Sequence, residues 1–174
     1  MPGKVRRIVT AVNEAGRSYI QSDIELPLKL EPNEPLRAAF WVTDSTPATN
    51  VGPDPVPDGI YAPTPPPKGG TVVRITEYPP DSQRERQPSA ADRPGRRTTP
   101  DRSAKHPGFH ATDTIDYAVV LEGEIWAVMD EGETLMRAGD VLIQRGTFHA
   151  WANRSDRNCR ILFVLIDAEP LVGH

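Results

Sequence analysis

His110, Asp116 and His149 are the residues of this chain whose types and positions suit a chemical site. Two imidazoles and one carboxylate can hold a divalent transition metal in a facial arrangement. Without a metal, the same groups can move protons, with the imidazoles as base and acid and the carboxylate orienting one ring. Strand parity places them on shared faces, because side chains two apart point the same way. His110, Thr112, Thr114 and Asp116 form one such row if a strand starts near His110, and His149, Trp151 and Asn153 form a second. A carboxylate on an interior row is costly unless a cation, a metal or several donors accompany it. Thr112, Gln144 and Trp151 are expected to line the same cavity, His106 to stand in a loop beside it, and Trp41 and Trp126 to belong to the core.

The elements that must position these residues are short strands. Val5 to Val12 and Arg17 to Asp23 read as a hairpin turning through Asn13 to Gly16. Ala38 to Thr43 and Thr71 to Tyr78 are further strands, the second stopped by Pro79-Pro80. Between them, residues 44–69 form a long proline-dense loop. From Asp81 to Lys105 there is no aromatic residue and no aliphatic one larger than alanine, while seven residues are Arg or Lys. Such a segment cannot offset its ordering entropy by apolar burial, so it is expected to be a draped polar loop with solvated arginines. Strands then follow at regular spacing: Ile115 to Leu121, Glu124 to Met129, Thr134 to Arg137, Val141 to Gln144, His149 to Asn153 and Ile161 to Ile166, with Gly and Asp turns between. Many short strands of this kind predict an all-β sandwich, jelly roll or barrel with long Pro-rich loops.

The spacing around the site resembles the two motifs of the cupin superfamily. His110-Ala-Thr112, three residues, Asp116, six residues and Gly123 follow the first motif. Gly139 through Gly146, His149 and Asn153 follow the second. The resemblance is carried best by residues 106–167 and implies a β-barrel of the double-stranded β-helix type with a small-molecule site inside. It also implies a divalent transition metal (Fe, Mn, Zn or Ni) held by His110, Asp116 and His149. The departures are Thr112 in place of a second histidine, Asp116 in place of glutamate, Gln144 in place of proline, and one residue fewer before Gly146. They reduce the usual four ligands to three and leave a metal-free site as the alternative.

Composition excludes other classes. A net charge of −4 and a pI near 5.6 supply no basic face for nucleic acid or anionic membranes. No apolar stretch approaches the roughly 20 residues that cross a bilayer. Residues 1–10 lack an apolar run after their basic residues, so no secretory leader is expected and the cytoplasm is the expected compartment. The single cysteine, Cys159, lies in an apolar strand pattern and is expected to be a buried, inert thiol. The length suits one domain, read as N-terminal strands and Pro-rich loop (1–80), polar loop (81–105) and motif core (106–168).

The functional expectation is a small-molecule enzyme, a metal-assisted lyase, dehydratase, decarboxylase or isomerase acting on a carbonyl- or carboxyl-bearing metabolite. The alternatives are a metal-free His acid/base dehydratase or isomerase, a non-catalytic small-molecule binder, and an iron-dependent dioxygenase. A homodimer is expected, its N-terminal hairpin adding strands to a neighbouring subunit, as the resemblance implies.

Overall fold

The computed structural model describes residues 3–28, 36–59, 63–83 and 95–171. Ten strands run in chain order: β1 (Lys4–Val12), β2 (Ser18–Pro27), β3 (Leu36–Thr43), β4 (Thr71–Tyr78), β5 (Thr114–Glu122), β6 (Glu124–Met129), β7 (Glu133–Arg137), β8 (Val141–Arg145), β9 (His149–Ala152) and β10 (Cys159–Asp167). They form a five-stranded sheet ordered β3-β4-β10-β5-β8, a three-stranded sheet ordered β7-β6-β9, and the β1-β2 hairpin.

The five- and three-stranded sheets face each other across one apolar core. Val72, Ala118, Val120, Ile161, Phe163 and Leu165 of the first meet Ile125, Ala127, Met136 and Trp151 of the second. Alternation explains the seam, since β5 and β10 bury every second residue. β10 is the centre of its sheet, hydrogen-bonded to β4 on one side and β5 on the other. Cys159, at its first position, is fully buried, and burial with nearby Glu122 and Glu124 pushes its thiol up to about 12.

β4 departs from simple alternation, burying five residues in a row from Arg74 to Tyr78. The reason is a second apolar layer: Val5, Leu26 and Leu28, on and beside the hairpin, pack with Ala38 and Ile75 on the outer face of the sheet. A buried arginine fastens that layer. Arg7, 1% exposed, donates from Nε to the Phe40 carbonyl at 2.8 Å and from both terminal nitrogens to Asp54 at 2.7 Å. Asp54 belongs to the proline-dense loop, so one guanidinium ties hairpin, sheet and loop together. The opposite face of the hairpin leaves Ile8, Val12 and Ile20 exposed, and Tyr19 is exposed towards the hairpin tip.

The hairpin turn forms as its residues predict. Asn13 Oδ1 accepts from the Ala15 and Arg17 amides at 3.0 Å, and Gly16 supplies the positive φ of 72°. Trp41 and Trp126 are only partly buried, each with an arginine over its ring, Arg7 at 5.7 Å and Arg154 at 4.9 Å, so neither belongs to the closed core as expected.

The polar segment 81–105 differs from its expectation where it is described; residues 84–94 lie outside the described residues. Pro100–Lys105 forms a short helix, α1, opened by proline at its first turn. Arg102 pairs with Asp130 at 2.8 Å while its guanidinium lies 3.7 Å from the Phe148 ring centroid, and Arg97 pairs with Asp113 at 2.7 Å. These arginines are fastened to the barrel rather than solvated, because an aromatic face and two carboxylates offset their ordering.

Candidate functional site

The two histidines meet through the backbone. His110 precedes β5, which starts at Thr114, so the strand expected to begin near His110 begins later. His110 instead forms an isolated antiparallel bridge with His149, the first residue of β9, and the two exchange both backbone hydrogen bonds at 2.9 Å. Their ring centroids stand 4.6 Å apart. Ala111 makes the same reciprocal pair with Arg97, at 2.8 and 2.9 Å, which lays the segment before α1 along the site.

Each imidazole has a fixed tautomer. His110 Nδ1 is 2.7 Å from the Gly108 carbonyl and His149 Nδ1 is 3.0 Å from the Thr147 carbonyl. A carbonyl oxygen can only accept, so both Nδ1 atoms carry hydrogen and both Nε2 atoms keep their lone pairs. Burial holds both rings neutral. It pushes His149 down to about 4, with the positive Arg96 adding to the effect, and His110 well below its usual range, with His149 and Arg96 adding.

Asp116 lies on the β5 row with Thr112 and Thr114, all three buried. Thr112 Oγ1 is 2.7 Å from Thr114 Oγ1, and Thr114 in turn bonds the Asp116 carboxyl. Burial raises the Asp116 pKa despite Thr114, Arg74 and Arg96 opposing it, and its Oδ1 is buried without a hydrogen-bond partner.

These groups line one small, partly open cavity. Of the residues the sequence singles out, His110, Thr112, Asp116, His149 and Trp151 line it. Gln144 does not. It is opposite Asp116 in the β5–β8 register, but its amide turns to donate to the Thr147 carbonyl at 3.0 Å. Asn153, on the Trp151 row, is equally occupied elsewhere, donating to the Tyr78 and Arg157 carbonyls at 2.8 and 2.7 Å. His106 accepts from the Gly108 amide at 3.0 Å and stands 3.8 Å from Asp81.

Sequence reasoning missed four polar lining residues: Thr64, Arg74, Tyr78 and Arg96. Arg74 shares its face of β4 with Val72 and pairs in register with Phe163 of β10. Arg96 precedes the Arg97–Ala111 bridge, a long-range pairing with no local signature.

The expected metal finds an incomplete donor set. Two imidazoles keep free Nε2 atoms, yet among the described residues no three His, Cys, Asp or Glu side chains are grouped to hold an ion. Two guanidinium groups in the same cavity also oppose a dication by like charge. The residues present do not fit a resident metal.

Comparisons with known proteins agree with this architecture. Residues 96–165 match the family model described as Cupin domain. The chain is 38% identical over 117 residues to Phomopsin biosynthesis cluster protein D of Diaporthe leptostromiformis, covering 66% of this chain and 47% of that protein. It is 35% identical over 106 residues to Oryzines biosynthesis cluster protein J of Aspergillus oryzae, covering 60% of this chain and 46% of that protein. It is 39% identical over 68 residues to the cupin-domain-containing oxidoreductase virC of Hypocrea virens, covering 37% of this chain and 35% of that protein. The chain thus spans less than half the length of these relatives.

Proposed function

We propose, from the premise that this chain belongs to the cupin superfamily, that its cavity is the active site of a small-molecule enzyme moving protons without a resident metal. The reaction class is dehydration or isomerisation of a carbonyl- or carboxyl-bearing metabolite. The observation that carries the reading is the His110–His149 pair: two neutral rings 4.6 Å apart, each with Nδ1–H held by a backbone carbonyl and Nε2 left as a base. A buried carboxyl with a raised pKa completes the set, because Asp116 can hold the proton that an imidazole of lowered pKa gives up. Arg74 and Arg96 supply positive charge where an enolate-like oxygen would develop.

The test works whatever the product is. A panel of small oxo acids and hydroxy acids is incubated with the chain in D2O, and exchange of the hydrogen beside the carbonyl is followed by NMR. Exchange that persists in a chelator and is lost in both His110→Asn and His149→Asn supports the reading. Exchange abolished by chelator and restored by one divalent ion overturns its metal-free part, and no exchange across the panel overturns it altogether.

A second reading, an oxidoreductase, is favoured by the name of the Hypocrea virens relative. Oxygen uptake by the iron-supplemented chain with the same panel would select it.

A further inference from the structure

Among the described residues, Arg74 is a buried cation without an anion. Its residue is 6% exposed, in the interior row of β4, with the guanidinium 5.8 Å from the Phe163 ring centroid. One terminal nitrogen donates to the Thr64 hydroxyl, and Nε is buried without a partner. Among the described residues, no carboxylate forms an ion pair with it, although Asp116 lines the same cavity. This contrasts with Arg7, equally buried, which has a bidentate carboxylate and a carbonyl. A fold that completes one buried guanidinium and leaves another incomplete has a cost it recovers only when something else supplies the acceptor.

Asp116 is the complement. Its Oδ1 is a buried acceptor without a donor, in the same cavity as a buried donor without an acceptor. The two do not satisfy each other.

We propose that Arg74, steadied by Thr64, is the anchor for a substrate carboxylate, and that Asp116 Oδ1 receives an O–H or N–H carried by the same small molecule. The ligand class is therefore a hydroxy or amino carboxylic acid rather than a neutral carbonyl compound. This deepens the proposed function by naming its substrate class, and it rests on the same cavity being the active site. A guanidinium suits the task because its planar fork matches a carboxylate.

The test is a binding series on the whole chain, read by NMR titration and thermal unfolding, with lactate, propanoate and propane-1,2-diol as probes. Lactate carries both groups, propanoate only the carboxylate, and the diol only hydroxyls. Lactate is expected to bind about tenfold more tightly than propanoate, and the diol not to bind. Asp116→Ala should bring lactate down to the level of propanoate. Arg74→Met should lose lactate binding by at least about tenfold while the ligand-free variant unfolds at a temperature equal to or above that of the parent.

Three results would overturn the proposal: lactate and the diol binding alike, lactate not binding at all, or Arg74→Met keeping its lactate affinity. A lowered unfolding temperature for ligand-free Arg74→Met with unchanged lactate affinity assigns the arginine to structure alone. If Arg74→Met fails to fold, Arg74→Lys decides, because it keeps the charge but loses the fork and should weaken lactate while sparing the fold. Lactate held through Arg74 without deuterium exchange removes the proposed reaction and leaves this ligand assignment standing. Exchange that is indifferent to Arg74 does the reverse.

Discussion

His110 and His149 are opposite each other in a reciprocal backbone pair, yet neither side chain bonds the other, because each has turned its Nδ1 to a carbonyl two residues before it. The consequence is that protonating either ring puts a charge into a cavity that already holds Arg74 and Arg96.

Stability should therefore fall in acid. His149 has a folded value of about 4 against an ordinary 6.5, so between those values the unfolded chain binds the extra proton. The stabilisation is complete above the ordinary value and is lost as pH drops towards the folded one, by roughly 3 kcal/mol for this residue. Urea unfolding of the parent and of His149→Gln across that range checks it. The variant should show a shallower decline.

Asp116 acts in the opposite direction. Its pKa is raised by burial, so the native state accommodates the protonated acid better than the carboxylate. Its contribution is favourable below the ordinary carboxyl range and is lost as pH rises through the folded value. Asp116→Asn should gain stability relative to the parent as pH increases above about 4, read as a widening gap between their unfolding midpoints.

Arg7 and Asp54 form an ion pair whose members are 1% and 15% exposed. Removing either leaves the other uncompensated, so Arg7→Ala or Asp54→Ala should each cost about 3 kcal/mol. The paired replacement Arg7→Met with Asp54→Val should recover much of that loss. Denaturant unfolding of Arg7→Ala, Asp54→Ala and the variant carrying both alanines, as a double-mutant cycle, measures the coupling.

Gly123 has φ +77°, and a Cβ there would lie 2.7 Å from the Asn158 carbonyl oxygen. Gly132 has φ +84° with open space around it. Alanine at 132 should therefore cost about 1 kcal/mol of backbone strain, while alanine at 123 adds a backbone collision and should cost about 3 kcal/mol or more. Comparing the two unfolding midpoints separates strain from contact.

The barrel was legible because its strands keep period two. Each strand read between Ile115 and Ile166 is present, and the row from Thr112 to Asp116 is buried as parity requires. Gln144 misled because parity fixes a face but not the last two torsions, and a turn hydroxyl and carbonyl three residues on claim its amide. Arg74 stayed hidden for a different reason. The hairpin covers the outside of β4, so both faces of that strand are buried and it has no polar side against which an inward arginine stands out. Arg96 is placed by a pairing between Arg97 and Ala111 that no neighbouring residue announces.

Cys159 gives the molecule a built-in reporter. The only thiol of the chain begins the strand that both neighbouring strands clasp, and its sulfur is neither reachable nor ionised in the native state. Alkylation must then wait for β10 to part from its neighbours, so the labelling rate reads how often the central sheet comes open. Ligand-induced slowing of that rate would register occupancy of the cavity from a residue that does not line it.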